Sequence, residues 1–198
     1  EDVSGDEGSK RLIAAKQRGV DVRIIVDGAV ARQPDKQAML ARLEAAGIEV
    51  VRWHDPKRVH DGQHRKVMIV DGKAAVSGGM NIGDDYSHKG PAGKPKWRDT
   101  DVKIEGPAVD DCERLFAQVW NEQRAKRNLQ VGVVAEPPKP AHATFTAGSK
   151  PAGLAQVVND APGPKGDAHI LLAALKAIEG ATTRIDIENA YFITTPAL

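Results

Sequence analysis

The sequence predicts an α/β fold with a largely parallel or mixed sheet. Patterns typical of helices alternate along the chain with short runs of Val, Ile and other residues that favour strands. The 198 residues are 41% hydrophobic but only 4% aromatic, so the chain can build a core that consists mainly of Val, Ile, Leu and Ala. No run approaches 18 consecutive apolar residues, and the sequence therefore predicts no transmembrane helix within this stretch.

The first part of the chain contains two predicted helix–strand pairs. Apolar spacing predicts a helix over residues 9–18, and a run rich in Val and Ile predicts a strand over residues 20–26. Pro34 suits the first turn of a second helix, and Gly47 suits its end. A further strand follows over residues 48–53.

The middle of the chain predicts a hairpin, a strand and a long helix. The hairpin spans residues 64–77, because Asp71 and Gly72 form a dipeptide typical of tight hairpin turns. Residues 100–105 alternate between apolar and polar side chains, as a half-buried strand does. Pro107 then opens a helix with an apolar stripe.

The last part of the chain begins with a change of composition. Residues 136–166 are rich in Pro, Gly and small polar residues, which predicts a linker or a long surface loop. Asp167 can cap a helix that starts near His169. Residues 183–187 and 191–192 then favour a strand.

The most informative stretch is HRKVMIVDG at residues 64–72, which holds His, Lys and Asp in the spacing H-x-K-x4-D. Because side chains alternate along a strand, His64 and Lys66 face the same way. The apolar Val67 and Ile69 point to the other face. A phosphate ester needs a nucleophile or proton carrier beside a fixed cation, so this pattern indicates phosphoryl chemistry.

Three more segments follow this stretch: SGGMNIGDDY at residues 77–86, WRDTD at 97–101 and EGPAV at 105–109. With them the chain resembles the phospholipase D superfamily, in particular its bacterial cardiolipin synthase-like branch. The resemblance covers most of residues 9–128 and resumes at 167–198. It implies an α-β-α sandwich in which a mixed sheet is flanked by helices on both faces, as one repeat of a two-repeat fold.

The resemblance also implies a covalent phosphohistidine mechanism that uses no metal or other cofactor. His64 would be the nucleophile, and Lys66 and Asn81 would bind the non-bridging phosphate oxygens. Gly78 and Gly79 would let the backbone approach the phosphate closely, which a Cβ would hinder. A second histidine would protonate the leaving alcohol and then activate water or another alcohol.

Two aspartates of the predicted site have alternative interpretations. Asp71 either takes part in catalysis or serves as a type I′ turn residue before Gly72. Asp99 either orients an active-site imidazole, as the resemblance implies, or forms a surface ion pair with Arg98.

The sequence contains one such motif, whereas the two-repeat fold requires two. Only His64 among the six histidines has lysine and aspartate at the required spacing, so the second motif is expected from downstream sequence or from another chain. Residues 1–135 are expected to form the first catalytic half without its first strand, and 136–166 the linker or loop. Residues 167–198 would start a truncated second half. The alternative is a naturally short, single-repeat protein.

The function predicted from the sequence and the resemblance is that of a phospholipase D-like phosphodiesterase or phosphatidyltransferase. Its substrates would be glycerophospholipids at a membrane surface of the bacterial cell envelope, on a side that the sequence leaves open. The alternatives are a homodimeric endonuclease and a non-catalytic lipid-binding module. The net charge of +1 disfavours a nucleic acid partner. The intact His64, Lys66 and Asn81 count against a non-catalytic module, although this stretch could be inactive by itself.

Overall fold

The computed structural model describes residues 3–54, 62–87, 93, 96–138, 155, 157–159 and 169–189. The chain forms two compact units, Glu1–Ala155 and Gln156–Leu198. The boundary between the units lies inside the segment predicted to be a linker. The interpretation of residues 167–198 as the start of a second half stays a prediction.

The first unit contains helices and strands in the predicted order. Its elements are α1 (Val3–Gln17), β1 (Arg23–Asp27), α2 (Pro34–Ala45), β2 (Glu49–Trp53), β3 (Val67–Val70), β4 (Ala74–Gly78), β5 (Asp101–Glu105) and α3 (Ala108–Arg127). β1 and β2 form a parallel pair, whereas β3, β4 and β5 form an antiparallel sheet in that order. The predicted mixed α/β class is confirmed.

The ends of the helices follow from a few residues. Pro34 occupies the start of α2, and Asn128 ends α3 in the left-handed conformation, with φ of 48°. α1 begins six residues before its predicted start. Its first turns are polar and are supported by an ion pair between Lys10 and Asp6 at 2.7 Å. Since these turns have no apolar spacing, the sequence pattern did not reveal them.

Helices cover both faces of the parallel pair, as predicted. On one face, α1 and α2 pack on the parallel strands around a buried cluster formed by Val22, Ala31, Leu40, Leu43, Ile48 and Val50. Val51, the next residue of β2, points to the opposite face and is completely buried. α3 contacts β2 and all three strands of the antiparallel sheet. The core therefore has two apolar layers with strands between them.

Residues 129–138, here called the tail segment, run back along α3. Side chains of α3 donate hydrogen bonds of 2.7–2.8 Å to tail carbonyls in the pairs Arg124–Val131, Trp120–Gly132, Asn121–Val134 and Arg114–Pro138. The backbone N–H of Gly132 also donates to Glu49 of β2 at 2.6 Å. The docked chain therefore extends three residues into the segment 136–166 that was predicted to be a linker.

The second unit contains the predicted helix, α4 (His169–Gly180). The strand predicted over residues 183–187 is not formed in the described stretch up to residue 189, and this prediction was wrong. Ile185 and Ile187 are exposed there, and strand propensity alone does not form a strand without a partner to pair with. Asp167 and residues 191–192 lie outside the described residues. No helix in the described ranges has both the length and the apolarity needed to cross a membrane.

A pair of matched substitutions tests the double-layer core. Val51→Ala is expected to lower the free energy of unfolding by roughly 1.5–3 kcal/mol, because Val51 is fully buried. Val133→Ala removes the same atoms from a tail residue that is 62% exposed, and is expected to change stability by less than about 0.5 kcal/mol. Chemical denaturation measures both values. Equal losses for the two variants would contradict this description of the core.

Candidate active site

β3 and β4 form the predicted hairpin, although β3 starts at Val67 rather than at residue 64. The register places Val67 opposite Ser77. One residue further, the N–H of Gly78 donates to the carbonyl of Lys66 at 3.4 Å, so the pairing continues past the strand. His64 and Lys66 therefore lie at the open end of the hairpin, beside the end of β4.

The two faces of this hairpin differ in burial, as the alternation predicts. Ile69 lies opposite Ala75, which is fully buried on the face that packs against α3. Met68 and Val70 point the other way and are 55% and 48% exposed. Lys66 shares their face, because it precedes Met68 by two residues. Lys66 thus lies on the face opposite Ile69, together with the apolar Met68 and Val70. The same orientation for His64 stays a prediction, since His64 lies outside β3.

The ammonium group of Lys66 lies directly beside the backbone of His64. Its Nζ donates a hydrogen bond of 2.8 Å to the carbonyl oxygen of His64. Partial burial lowers the pKa of Lys66 below that of a free lysine, and the nearby carboxylate of Asp99 acts in the opposite direction. The side chain of His64 itself is exposed. The structure thus places a partly desolvated cation against the backbone of a residue whose imidazole is exposed.

Two carboxylates lie against Gly78 and Gly79. A Cβ on Gly78 would lie 2.0 Å from Oδ1 of Asp101, and a Cβ on Gly79 would lie 2.6 and 2.7 Å from the carboxylate oxygens of Asp99. Oδ1 of Asp101 also accepts a hydrogen bond from the N–H of Met80 at 3.2 Å. Glycine is required at Gly78, because a Cβ there would also lie 2.6 Å from the carbonyl oxygen of Thr100, whereas at Gly79 the neighbouring atoms all belong to the Asp99 side chain. Close approach of a phosphate at the same glycines stays a prediction.

Asp99 lies against the end of β4 and acts electrostatically on Lys66. Its carboxylate touches Gly79, accepts a hydrogen bond from the N–H of Thr100 at 2.8 Å, and acts on the charge of Lys66. Within residues 96–138, no ion pair links Asp99 to Arg98. The position beside Lys66 is compatible with a role in the site, and the orientation of an imidazole by Asp99 stays a prediction.

Asn81 lies in the loop that follows β4. Its side-chain amide donates to the hydroxyl of Tyr86 at 3.1 Å. The same loop is tied to the segment before β5, because Lys96 Nζ donates to the carbonyl of Asp84 and the N–H of Trp97 donates to that of Asp85. The predicted binding of phosphate by Asn81 stays a prediction. Its partner Tyr86 was not identified from the sequence.

Asp71 lies at the other end of β3. Its φ is 53° and that of Gly72 is 61°, and positive values at both central residues are what a type I′ turn requires. The N–H of Lys73 donates to the carbonyl of Val70 at 3.0 Å and closes the turn. Five residues of extended chain separate Asp71 from Lys66, which is about 16 Å. The structure therefore places Asp71 in the turn and does not bring it to the other predicted site residues.

Comparison with known proteins relates this geometry to a family. A family model described as "Cardiolipin synthase, PLD-like domain" matches residues 3–120, which contain β3, β4, β5 and the site between them. The chain belongs to this phospholipase D-like family. Its membership accounts for the motif at His64 and for the segments that follow it.

Relatives of the phospholipase D-like chain include two named cardiolipin synthases. It is 31% identical over 195 residues to cardiolipin synthase 1 of Staphylococcus aureus (strain MRSA252), covering 93% of this chain and 37% of that protein. It is 29% identical over 201 residues to cardiolipin synthase A of Yersinia pseudotuberculosis (serotype O:1b, strain IP 31758), covering 98% and 40%. The chain thus spans about two fifths of the length of these curated relatives.

One solved structure, a phospholipase D family member, Nuc from Salmonella typhimurium, is also similar. The TM-score is 0.46 at 26% identity, and the match covers 57% of this chain and 68% of that one. In the phospholipase D-like chain itself, the described residues contain no group of three or more His, Cys, Asp or Glu side chains that could hold a metal ion.

The charge environment of Lys66 gives a direct titration test. Lys66 is expected to titrate below 10.5, and Asp99→Asn is expected to lower its pKa further, since that substitution removes the carboxylate that favours the ammonium form. NMR titration of the lysine side-chain signals measures both effects. Asp21→Asn, which removes a carboxylate paired with Arg23, is the control and should leave Lys66 unchanged. An unchanged pKa of Lys66 in Asp99→Asn would contradict the assignment.

Proposed function

We propose that this chain is the first catalytic half of a phospholipase D-like phosphatidyltransferase that acts on glycerophospholipids. The observation that carries the proposal is the placement of Lys66 Nζ 2.8 Å from the carbonyl oxygen of His64, at the exposed end of a hairpin inside the family-matched region. An accessible ring nitrogen with a cation beside it can attack phosphorus while the cation neutralises a phosphoryl oxygen.

The proposed reaction has two in-line displacements. A ring nitrogen of His64 forms a bond to phosphorus, and the bond from phosphorus to the leaving alkoxide breaks. A second histidine, supplied from outside the described residues, gives its proton to that alkoxide. The same group then takes a proton from an incoming alcohol, whose oxygen displaces His64 from phosphorus. Lys66 would leave the carbonyl of His64 and bind a non-bridging oxygen in both steps.

Asp99 would adjust the charge of this site. A phosphodiester carries one negative charge, and its binding next to Lys66 requires that Lys66 stays protonated. Burial alone disfavours the ammonium form, whereas the carboxylate of Asp99 favours it. Asp99 would thus keep Lys66 cationic, and in the assembled enzyme it would also orient an active-site imidazole. Asn81 would add a neutral donor to the phosphate oxygens.

A second catalytic half is part of the proposal. The described residues contain one H-x-K-x4-D motif, and one imidazole cannot act on both sides of an in-line displacement. Met68 and Val70 leave an apolar surface exposed on the face that carries Lys66, and such a surface suits a protein partner. The greater length of the relatives agrees with a second half in the same polypeptide, although another chain could supply it.

A lipid substrate is favoured over nucleic acid by the side chains around the loop after β4. Trp97 is 65% exposed and Ile82 is 72% exposed, in a region that also contains Lys96 and Arg98. Tryptophan with flanking cations suits a membrane–water interface that carries anionic lipids. The net charge of +1 gives little general attraction to a polyanion such as DNA. We therefore place the protein at a membrane surface of the bacterial envelope.

Turnover of phosphatidylglycerol by the complete protein that carries this sequence tests the proposal. His64→Ala is expected to reduce the formation of new phosphodiester lipid by about 10³-fold or more, because the nucleophile is lost. Lys66→Ala should reduce it as well. Lys73→Ala removes a lysine from the turn of the same hairpin and is the matched control, with activity close to wild type.

The covalent intermediate and the reaction product distinguish the proposed function from its alternatives. An acid-labile phosphatidyl group on His64, detected by mass spectrometry after quenching at high pH, would support the covalent route. Cleavage of DNA without lipid turnover would favour the endonuclease alternative. Binding of lipid vesicles without turnover in any variant would instead indicate a non-catalytic module. Full lipid turnover by His64→Ala would overturn the assignment of the nucleophile.

A further inference from the structure

Asp27 makes contacts that the proposed chemistry does not use. It is the last residue of β1, and its Oδ1 accepts hydrogen bonds of 2.9 Å from the backbone N–H groups of both Ala29 and Val30. Its Oδ2 accepts a third, also 2.9 Å, from the N–H of Gln63. One carboxylate thus holds the turn after β1 and the residue immediately before His64.

The fit of Asp27 against that segment is close. A Cβ on Gly62 would lie 2.9 Å from Oδ2 of Asp27, so glycine lets the segment approach the carboxylate. Gly28 is held as well, since its N–H donates to the carbonyl of Trp53 at 2.8 Å and a Cβ there would lie 2.3 Å from that oxygen. The backbone next to Asp27 is therefore held in place by its hydrogen bond to the end of β2.

The charge of Asp27 contributes to these contacts. Partial burial raises the pKa of Asp27, but the hydrogen bonds from Val30, Gln63 and Ala29 outweigh it, and the net pKa is below that of a free aspartate. The carboxylate is thus ionised at neutral pH, and hydrogen bonds to an ionised acceptor are stronger than those between neutral groups.

We infer that Asp27 is a positioning residue that fixes the backbone leading into His64 and so sets where its imidazole meets the substrate. This inference rests on the proposed function for its catalytic meaning. His64 lies outside the regular strand, which starts at Val67, and its side chain is exposed. Lys66 is anchored by its pairing with Gly78 on one side. Asp27 supplies the corresponding anchor on the other side of His64.

Asp27→Asn is a suitable test because it keeps the shape of the side chain. Asparagine has one acceptor oxygen, which can serve the two turn amides or Gln63 but not both. Its NH₂ group would then face a backbone N–H and repel it. The matched control is Asp35→Asn, which removes a carboxylate that pairs with Lys36 at 3.1 Å in the first turn of α2.

Three measurements on the complete enzyme are expected to change together in Asp27→Asn. Hydrogen exchange at the Gln63 amide should accelerate at least about tenfold, while the Val51 amide in the core stays as protected as in wild type. The NMR signals of the His64 ring should shift. The kcat for lipid transfer should fall between about 10- and 100-fold with KM within about twofold, because a misplaced nucleophile affects the reaction step. Asp35→Asn should change none of these.

Other outcomes would overturn the inference. Faster exchange at Gln63 with unchanged kcat would show that the contact does not matter for catalysis. Equal loss of protection at Gln63 and Val51 would show a general structural role. If the wild-type enzyme transfers no lipid, the proposed function fails. The positioning role of Asp27 is then tested by two measurements alone, the hydrogen exchange of the Gln63 amide and the NMR signals of the His64 ring. Unchanged exchange and ring signals in Asp27→Asn would reject it.

Discussion

The site depends on the pairing of Lys66 with Gly78. The hydrogen bond from Gly78 N–H to the Lys66 carbonyl carries the β3–β4 register one residue beyond the strand. Because side chains alternate across a sheet, this register places Lys66 on the face of Met68, away from α3. A slip of one residue would turn the ammonium towards α3 and present Arg65 in its place. The position of the cation is therefore a consequence of backbone pairing.

Three aspartates contact the backbone near His64 and near the end of β4, and each acts on a different part of the site. Asp99 lies against Gly79 and supports the charge of Lys66, whereas Asp101 crosses Gly78 and holds the backbone of Met80. Asp27 reaches the segment before His64 from the separate parallel pair. Most of these contacts join a carboxylate to a backbone N–H, which fixes the chain and leaves the charge of the lysine available to a substrate.

The sequence predicted the features that depend on neighbouring residues. The turn at Asp71 followed from its dipeptide with Gly72, since few other residues adopt positive φ at both positions. The role of Asp27 could not be predicted, because its partner Gln63 is 36 residues away and no local pattern joins them. The strand expected over residues 183–187 failed for a related reason, since pairing depends on a neighbour that propensity does not specify. Features that depend on neighbouring residues could be predicted from the sequence, whereas contacts between distant segments could not.

A crystal structure of the complete protein with bound tungstate, a mimic of the phosphoryl group, is the most direct test of the proposed site. The tungsten atom is expected to face a ring nitrogen of His64. Its oxygens should lie about 2.7–3.2 Å from Lys66 Nζ and Asn81 Nδ2, with Lys66 released from the carbonyl of His64. Tungstate bound elsewhere, with the bond from Lys66 to His64 still in place at saturating anion, would contradict it.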